Sequence, residues 1–462
     1  MKRQSRYLAF IALGLVFAIC LLKPAAAQSP GKGLHVPITY YKLPNGLKVV
    51  LAEDRSAPTV AIAVYYNIGF RIEPRDRTGF AHLFEHLMFQ GSQNLGKMEF
   101  IKLVQQNGGI LNGSTRFDFT NYFEVLPAHK LETALWAEAD RMRGLKITDE
   151  NLKNQQGVVS NEVKVNVLNT PYGGFPWLDM PQYANANWYN AHNFYGDLKD
   201  LEAATLKDAQ AFFSTYYSPN NAALVVTGDF EEASAKKMIE AYFASIPAAK
   251  LPSKPDISEP SQQSEKRSAK KDPLAQQPAL AFAYHMPERN TPEYYAMGLL
   301  DQILLQGEDS LLSEELVNHR GYTANVGGGI NALLGNMFNY NGPMLWFAGL
   351  VHDNKTSPAE ILSAVDDIVA RIQNEPVDRQ TMDRALVKLR SSLYDSLSAF
   401  GGIGRVDLLA CFALFDDDPG RINSLEDNFR KVTPELLQRT ARQYLTRTNR
   451  TVLTIEPGGG SK

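Results

Sequence analysis

Cysteine is almost missing from this 462-residue chain, which has only Cys20 and Cys411. Cys20 falls in an apolar N-terminal run, so Cys411 is left as a single thiol. An internal disulfide is thereby excluded, and stability has to come from packed cores. A large charge excess is missing too. The formal charge of −3 lacks the basic footprint of a nucleic-acid-binding chain, and no nucleic-acid partner is expected. After residue 27 no apolar run is long enough to span a bilayer. The 44% hydrophobic and 21% charged fractions are those of a globular protein, and 462 residues are too many for one ordinary core.

The N-terminus reads as a separate object. Lys2, Arg3 and Arg6 precede an apolar run over 7–22, followed by Pro24 and Ala25-Ala26-Ala27. That order of basic, apolar and small residues is a secretory signal peptide, residues 1–27, with cleavage after Ala27. A retained anchor is the other reading, but the run is short for a span and a cleavage site follows it. The "FAIC" ending lacks the small residue expected before a lipidated cysteine. Loss of Lys2, Arg3, Arg6 and Lys23 would take the charge from −3 to −7. A periplasmic or secreted protein is expected, with no membrane attachment after cleavage.

Beyond that leader the pattern mixes strands and helices. "GLKVVLAED" and "TVAIAVYYNIG" predict buried strands. "LETALWAEADRMRGL" predicts a helix with Leu131, Leu135, Ala139 and Met142 on one face. The stretch 250–271, dense in Pro, Ser and Lys and poor in apolar residues, reads as a linker crossing a domain boundary. The same mixture then resumes, with "ALAFAYHMP" and "GPMLWFAGLV" as strands and "EYYAMGLLDQILL" and "PAEILSAVDDIVARIQ" as helices. The closing "TPELLQRTARQYLTRTNRTVLTIEP" repeats the plan of "LKDAQAFFSTYYSPNNAALVVTGDF": helix, polar turn, apolar strand. The expected organisation is a first domain over 38–248, a linker over 249–262 and a second, related domain over 263–456.

The residues that invite chemistry lie in "TGFAHLFEHLMFQGS", residues 78–92. A helix over 78–89, capped by Thr78 and left at Gly91, puts His82, Glu85 and His86 on one face, at i, i+3 and i+4. Two histidines one turn apart suit two nitrogen ligands on one Zn²⁺. Two buried, hydrogen-bonded histidines are the plainer reading, because two ligands do not complete a site. A third could come from the predicted helix over 148–168, capped by Thr148. There Glu162 stands among Val158, Val159, Val163 and Val165, and a carboxylate among valines is costly unless paired or metal-bound. On the helix alone, a solvated face for Glu162 is the plainer reading.

The order His-x-x-Glu-His inverts the usual metalloprotease motif and is the mark of inverzincins. With Glu162 following His86 by 76 positions, the chain resembles the pitrilysin/insulinase family of zinc peptidases, in its short-chain, processing-peptidase-like form. "GGILNGSTRFDFTNYFEVLP", "GVVSNEV" and "YYSPNNAALVVTGDF" match as well, and "DSLLSEELVNHRGYTANVGG" is similar to the family's second-domain motif. The resemblance spans about 38–456. It implies an α+β fold of two related domains, each a mostly antiparallel sheet with helices packed on it, together forming one half of a clamshell. It implies one Zn²⁺ per chain on His82, His86 and Glu162, Glu85 as catalytic base, and a peptide substrate laid along an edge strand. Asn112 and Gly113 of "GGILNGSTRFDF" are the implied substrate-binding residues.

Three departures from the family pattern stand out. Gln155 replaces a second Glu seven residues before the third ligand, so acid–base help from that position is in doubt. Val317 and Ala324 stand where relatives carry an Arg and a Tyr that reach the peptide, while Arg320 and Tyr322 lie close by out of register. A chain of this length supplies one clamshell half, so a homologous partner is expected. A heterodimer, whose partner lacks the zinc motif and brings the Arg and Tyr, is favoured over a homodimer. The leading functional expectation is an exported zinc-dependent endopeptidase; the other is a non-catalytic scaffold or partner subunit of the same fold.

Overall fold

Among the described residues, eleven strands form two sheets on either side of residues 249–262. The computed structural model describes residues 33–332 and 334–458, so the expected signal peptide, with Cys20, lies outside the described residues. The first sheet is built from β1 (Thr39–Lys42), β2 (Lys48–Glu53), β3 (Thr59–Tyr66), β4 (Ile110–Thr115), β5 (Thr120–Pro127) and β6 (Ala222–Gly228), in the order β1-β2-β6-β3-β5-β4. The second uses β7 (Lys266–Asp272), β8 (Ala279–His285), β9 (Val326–Ile330), β10 (Leu345–Val351) and β11 (Arg450–Pro457), in the order β7-β11-β8-β10-β9. Leaving out β1, both sheets run first–fifth–second–fourth–third. In both, only the pair of first and fifth strands is parallel. The expected α+β fold of two related halves is what the chain adopts.

The repeat extends to the helices and their turns. Helix α1 is Phe80–Leu87, α2 Leu131–Arg143, α3 Asp149–Val163, α4 Leu206–Tyr216, α5 Glu232–Phe243, α6 Pro292–Leu304, α7 Pro358–Asn374, α8 Arg379–Ser398, α9 Ile403–Cys411 and α10 Pro434–Tyr444. Both α4 and α10 start at a threonine whose hydroxyl accepts a backbone N–H, from Asp208 to Thr205 and from Leu436 to Thr433. Each then turns into the last strand of its half through an asparagine that donates five residues back. Asn221 Nδ2 reaches Tyr216 O at 2.9 Å and Asn449 Nδ2 reaches Tyr444 O at 2.7 Å. The same local physics, a threonine cap and an asparagine amide donating back to the end of the helix, thus builds both halves.

Four details depart from the sequence expectation. The linker is no free spacer: Glu259 accepts from Asn190 Nδ2 at 2.8 Å, and Gln262 Nε2 donates to the carbonyls of Thr448 and Arg450 at 2.9 and 2.7 Å. Its Lys-rich end, read as linker through 271, forms β7, an edge strand on which Arg267 and Lys271 are exposed, as suits an edge, while Lys266 donates to Ala184 O at 2.6 Å and Lys270 pairs with Asp179 at 2.8 Å. Helix α2 is buried on more than its apolar face, since Glu138 and Arg141 are enclosed and paired, with Arg141 Nε 2.8 Å from Glu138 Oε2. Finally the halves interlock. Helix α9 belongs by sequence to the second half but packs on β3 and β6 of the first sheet, and its Asp407 accepts from Tyr65 Oη at 2.9 Å. Arg71, fully enclosed, pairs with Asp118 at 2.7 Å and reaches Pro343 O at 3.0 Å. From Val36 onward the chain is accordingly one compact unit.

The second core contains one charge whose burial is testable. Asp301 on α6 is enclosed and accepts from Trp346 Nε1 at 2.7 Å and Gln306 Nε2 at 3.2 Å. Burial dominates over these bonds and pushes its carboxyl from the ordinary 3.8 up to about 6. The folded state therefore holds this proton more tightly than the unfolded chain. Its contribution is complete below pH 4 and lost as pH rises through about 6. Asp301→Asn, which stays neutral, is expected to gain roughly 2 kcal/mol on wild type between pH 4.5 and pH 7.5. Urea unfolding of both proteins across that range checks it, and parallel stability curves would contradict it.

Candidate metal centre

Helix α1 is eight residues long and could not persist alone. Phe80, Leu83, Phe84, Leu87 and the following Met88 are all buried, each stabilising it by roughly 2 kcal/mol. Tyr122 Oη on β5 donates to Phe84 O at 3.0 Å. The helix starts later than its sequence pattern suggests, and Thr78 is not its cap. Gly79 takes that position at φ +82°, and the free N–H groups are capped by the buried carboxylate of Glu73. Glu73 accepts from Gly79 N at 2.9 Å and from Ala81 N. A carboxylate at a helix N-terminus is favoured by the macrodipole as well as by the bonds. Thr78 instead donates to Asp200 Oδ2 at 2.7 Å and accepts from Asp197 N at 2.8 Å.

Helix α3 keeps its expected cap, Thr148, which accepts from Asn151 N at 3.1 Å. It ends at Val163 and continues as a π-helix, Lys164–Leu168. Of the four valines expected around Glu162, Val159 and Val163 are packed, but Val158 and Val165 are exposed, so the carboxylate lies at the edge of the packing. Its surroundings are the histidines of α1. The Nε2 atoms of His82 and His86 are 3.3 Å apart, Glu162 Oε1 is 3.6 Å from His82 Nε2, and Oε2 is 3.4 Å from His86 Nε2. Among the described residues these three form the one group of His, Cys, Asp or Glu donors close enough to hold a metal ion together.

The spacing can be tested against a cation. Tetrahedral Zn²⁺ with bonds of about 2.0–2.1 Å puts neighbouring ligand atoms about 3.3–3.4 Å apart. The N···N separation and the shorter N···O separation fall in that range, and the longer one is 0.2 Å further than the other at 3.6 against 3.4 Å. Two imidazole lone pairs facing each other with a carboxylate beside them repel unless a proton or a cation lies between. The residues fit the ion. Burial holds the His82 imidazole down at about 4, so it is neutral and free to ligate at pH 7. Burial also draws His86 down, but its bond to Glu162 and the Glu85 carboxylate outweigh that and leave it raised. Burial pushes Glu162 up, and the two histidines with Tyr195 outweigh it and leave it lowered. The side chains of His86 and Glu162 stay 22% and 28% exposed, which keeps one side of the group open to a ligand from solution.

Glu85 lies beside this group. Its Oε2 accepts from Thr115 Oγ1 at 2.8 Å, and burial raises its carboxyl against that bond. Thr115 closes β4, the unpaired edge of the first sheet, and two residues earlier Gly113 lies against Glu85. A Cβ on Gly113 would stand 3.3 Å from Glu85 Cγ. Asn112 is exposed on the same edge, its Oδ1 accepting from Gly113 N at 2.9 Å. The structure thus brings His82, His86, Glu162, Glu85 and Gly113 into one neighbourhood, with Asn112 next to Gly113 on the exposed face of β4. Gln155 is buried, its Nε2 donates to Asn154 Oδ1 at 2.8 Å, and it adds to the rise of His86. In the second half Val317 packs against the core, while Arg320 bonds Glu315 at 2.6 Å and Tyr322 Oη at 3.3 Å on the surface. Cys411 is buried and its thiol raised by burial, which gives it no reactivity.

Two family models match the chain, and the second begins inside the first half, before β6. The model described as Insulinase (Peptidase family M16) matches residues 48–172, which hold the whole donor group, and the one described as Peptidase M16 inactive domain matches residues 203–389. The chain belongs to the M16, or insulinase, family of peptidases. Among its relatives, the zinc protease PqqE of Helicobacter pylori is 25% identical over 427 residues, covering 90% of this chain and 92% of that protein. The uncharacterized zinc protease YmxG of Bacillus subtilis is 23% identical over 293 residues, covering 63% of this chain and 69% of that protein. Two solved structures show the M16 fold. A protease from Helicobacter pylori superposes with a TM-score of 0.84 at 22% identity, over 92% of this chain and 100% of that one. The periplasmic protease PqqL of Escherichia coli superposes with a TM-score of 0.74 at 16% identity, over 92% of this chain but 48% of that one.

Sequence reasoning missed several residues of this M16 site. Glu73 and Tyr195 carry no local motif, Thr115 lies unremarked in the matched edge-strand segment, and each reaches the site from a different element. Tyr195 Oη donates to Glu162 Oε1 at 3.1 Å, and its hydroxyl is pushed up to about 12 by burial, with Glu162 adding to the rise.

Proposed function

We propose that this chain is an exported zinc-dependent endopeptidase acting on oligopeptides or small unfolded proteins. The observation that carries this reading is the convergence of His82, His86 and Glu162 with Glu85 beside them. His82, His86 and Glu162 would hold Zn²⁺, which when bound supplies Lewis acidity to the scissile carbonyl and to water. The chain's own residues do the rest. Glu85 accepts the proton of the attacking water and passes it to the leaving amine nitrogen as the C–N bond breaks. A carboxyl that burial makes readier to hold a proton suits that transfer, and the Thr115 hydroxyl fixes its orientation. The peptide adds to β4 as a further strand, with main-chain bonds supplying affinity and little sequence preference. Asn112 lies on that edge, and the missing side chain of Gly113 leaves room between peptide and Glu85.

By the register of the second-half motif, Val317, which packs against the core, and Ala324 stand where relatives carry the peptide-reaching Arg and Tyr. The PqqL chain is about twice as long as this one, which agrees with one half of a chamber here. We take the partner to be a homologous chain without the zinc motif. The alternative, a non-catalytic scaffold, draws on the inactive-domain description of residues 203–389, but the donor group lies outside that span.

A quenched-peptide assay tests the reading. Peptide cleavage by the protein with its native partner is expected to stop on chelation and return with Zn²⁺. Cleavage that survives complete metal removal would overturn the metallopeptidase reading. Full activity from the lone chain as a homodimer would overturn the heterodimer.

A further inference from the structure

We propose that Tyr195 is a positioning residue for the metal centre, its hydroxyl orienting the Glu162 carboxylate toward His82 and His86. The inference rests on the reading of Glu162 as a metal ligand and adds a residue that the motif does not contain. Glu162 needs such a partner. Val159 and Val163 beside it are packed, but Val158 and Val165 are exposed and its own side chain is 28% exposed, so packing does not enclose its carboxylate end. Of its two oxygens, Oε1 accepts from Tyr195 Oη at 3.1 Å and Oε2 faces His86 Nε2 at 3.4 Å. With one oxygen fixed, rotation of the carboxylate away from the histidines is opposed.

Tyr195 is itself held from several sides. It is buried, and its ring meets Phe194 at 4.9 Å, Trp177 at 6.1 Å and His82 at 5.2 Å, all edge-on. Its backbone N–H donates to Asn193 Oδ1 at 2.9 Å. The next residue, Gly196 at φ +67°, lies so close to the start of α1 that a Cβ there would stand 2.3 Å from Gly79 N. Only glycine fits that approach, and it ties the Tyr195 loop to the helix bearing both histidines. Tyr195 therefore touches two of the three candidate ligands: the ring of His82 and the carboxylate of Glu162.

A third residue sets the direction of the hydroxyl proton. Asn166 Nδ2 lies 3.5 Å from Tyr195 Oη and can only donate, so the tyrosine's own proton is directed to Glu162. Asn166 sits on the π-helix that follows α3, and such turns recur at functional sites. Partners of this outer kind commonly change metal affinity by about 10- to 100-fold.

The test is metal binding, with activity left aside. Zn²⁺ and Co²⁺ are titrated by chelator competition into metal-free wild type, Tyr195→Phe and Glu162→Ala, and the visible absorption of the Co²⁺ forms is recorded. Tyr195→Phe keeps the packed ring and loses only the hydroxyl. It is expected to bind both ions about tenfold more weakly and to show a shifted Co²⁺ spectrum, because the carboxylate adopts another orientation. Wild-type affinity, or weaker binding with an unchanged Co²⁺ spectrum, would overturn the positioning role. Wild-type affinity in Glu162→Ala would instead overturn the ligand assignment on which it rests.

Discussion

Glu85→Gln is expected to lower kcat for peptide cleavage by about a thousandfold or more while leaving the metal content unchanged. General-base catalysis contributes about 10²- to 10⁴-fold, or roughly 3–5 kcal/mol of barrier. The amide cannot take the proton of water at any working pH, so the whole of that contribution is lost. The fold should tolerate the change. Gln is isosteric, Thr115 Oγ1 can still donate to its carbonyl oxygen across the 2.8 Å that separates it from Glu85 now, and a buried carboxylate is replaced by a neutral group. His82, His86 and Glu162 are untouched. Metal analysis and steady-state kinetics on the same preparation check both halves of the expectation. Turnover within a few-fold of wild type would remove Glu85 as the base.

Glu162→Ala should fail differently. Removing one of three protein donors is expected to weaken Zn²⁺ binding by more than the about 10- to 100-fold that outer-shell changes cost, and activity should fall in step with occupancy. Because the side chain is 28% exposed and its carboxylate bonds only His86 and Tyr195 closely, the metal-free protein should still fold. The thermal midpoint separates the cases. Zn²⁺ at a hundred times its Kd stabilises a folded binding protein by about 2.7 kcal/mol, so wild type should melt higher with the ion and the variant should not. A variant that takes up zinc like wild type would place Glu162 outside the site.

The parts of this account that were legible in the sequence are those with a period or a fixed offset. His82, Glu85 and His86 share one helical face whatever the helix bounds. The Thr-capped helix, polar turn and apolar strand could be matched across 205–228 and 433–457 because both copies obey the same local rules. The parts that were not legible depend on long-range geometry. Thr78 looked like a cap, yet the N–H groups of α1 are taken by Glu73, a buried residue set by the loop before it. The Lys-rich β7 has no apolar alternation because it is an edge, and only its pairing with β11 makes it a strand. Tyr195 lies in a stretch with no metal motif, and it reaches Glu162 because two glycines let its loop lie against α1. Two of the four valines around Glu162, Val158 and Val165, misled because exposure, unlike residue type, is a property of the folded chain.

The central claim is that His82, His86 and Glu162 bind one zinc ion per chain. Anomalous diffraction at the zinc edge from crystals of the zinc-loaded protein tests it most directly. The account predicts a single strong peak within bonding distance of His82 Nε2, His86 Nε2 and the Glu162 carboxylate. Stoichiometric zinc in the protein, with the anomalous peak elsewhere and none between these three side chains, would contradict it.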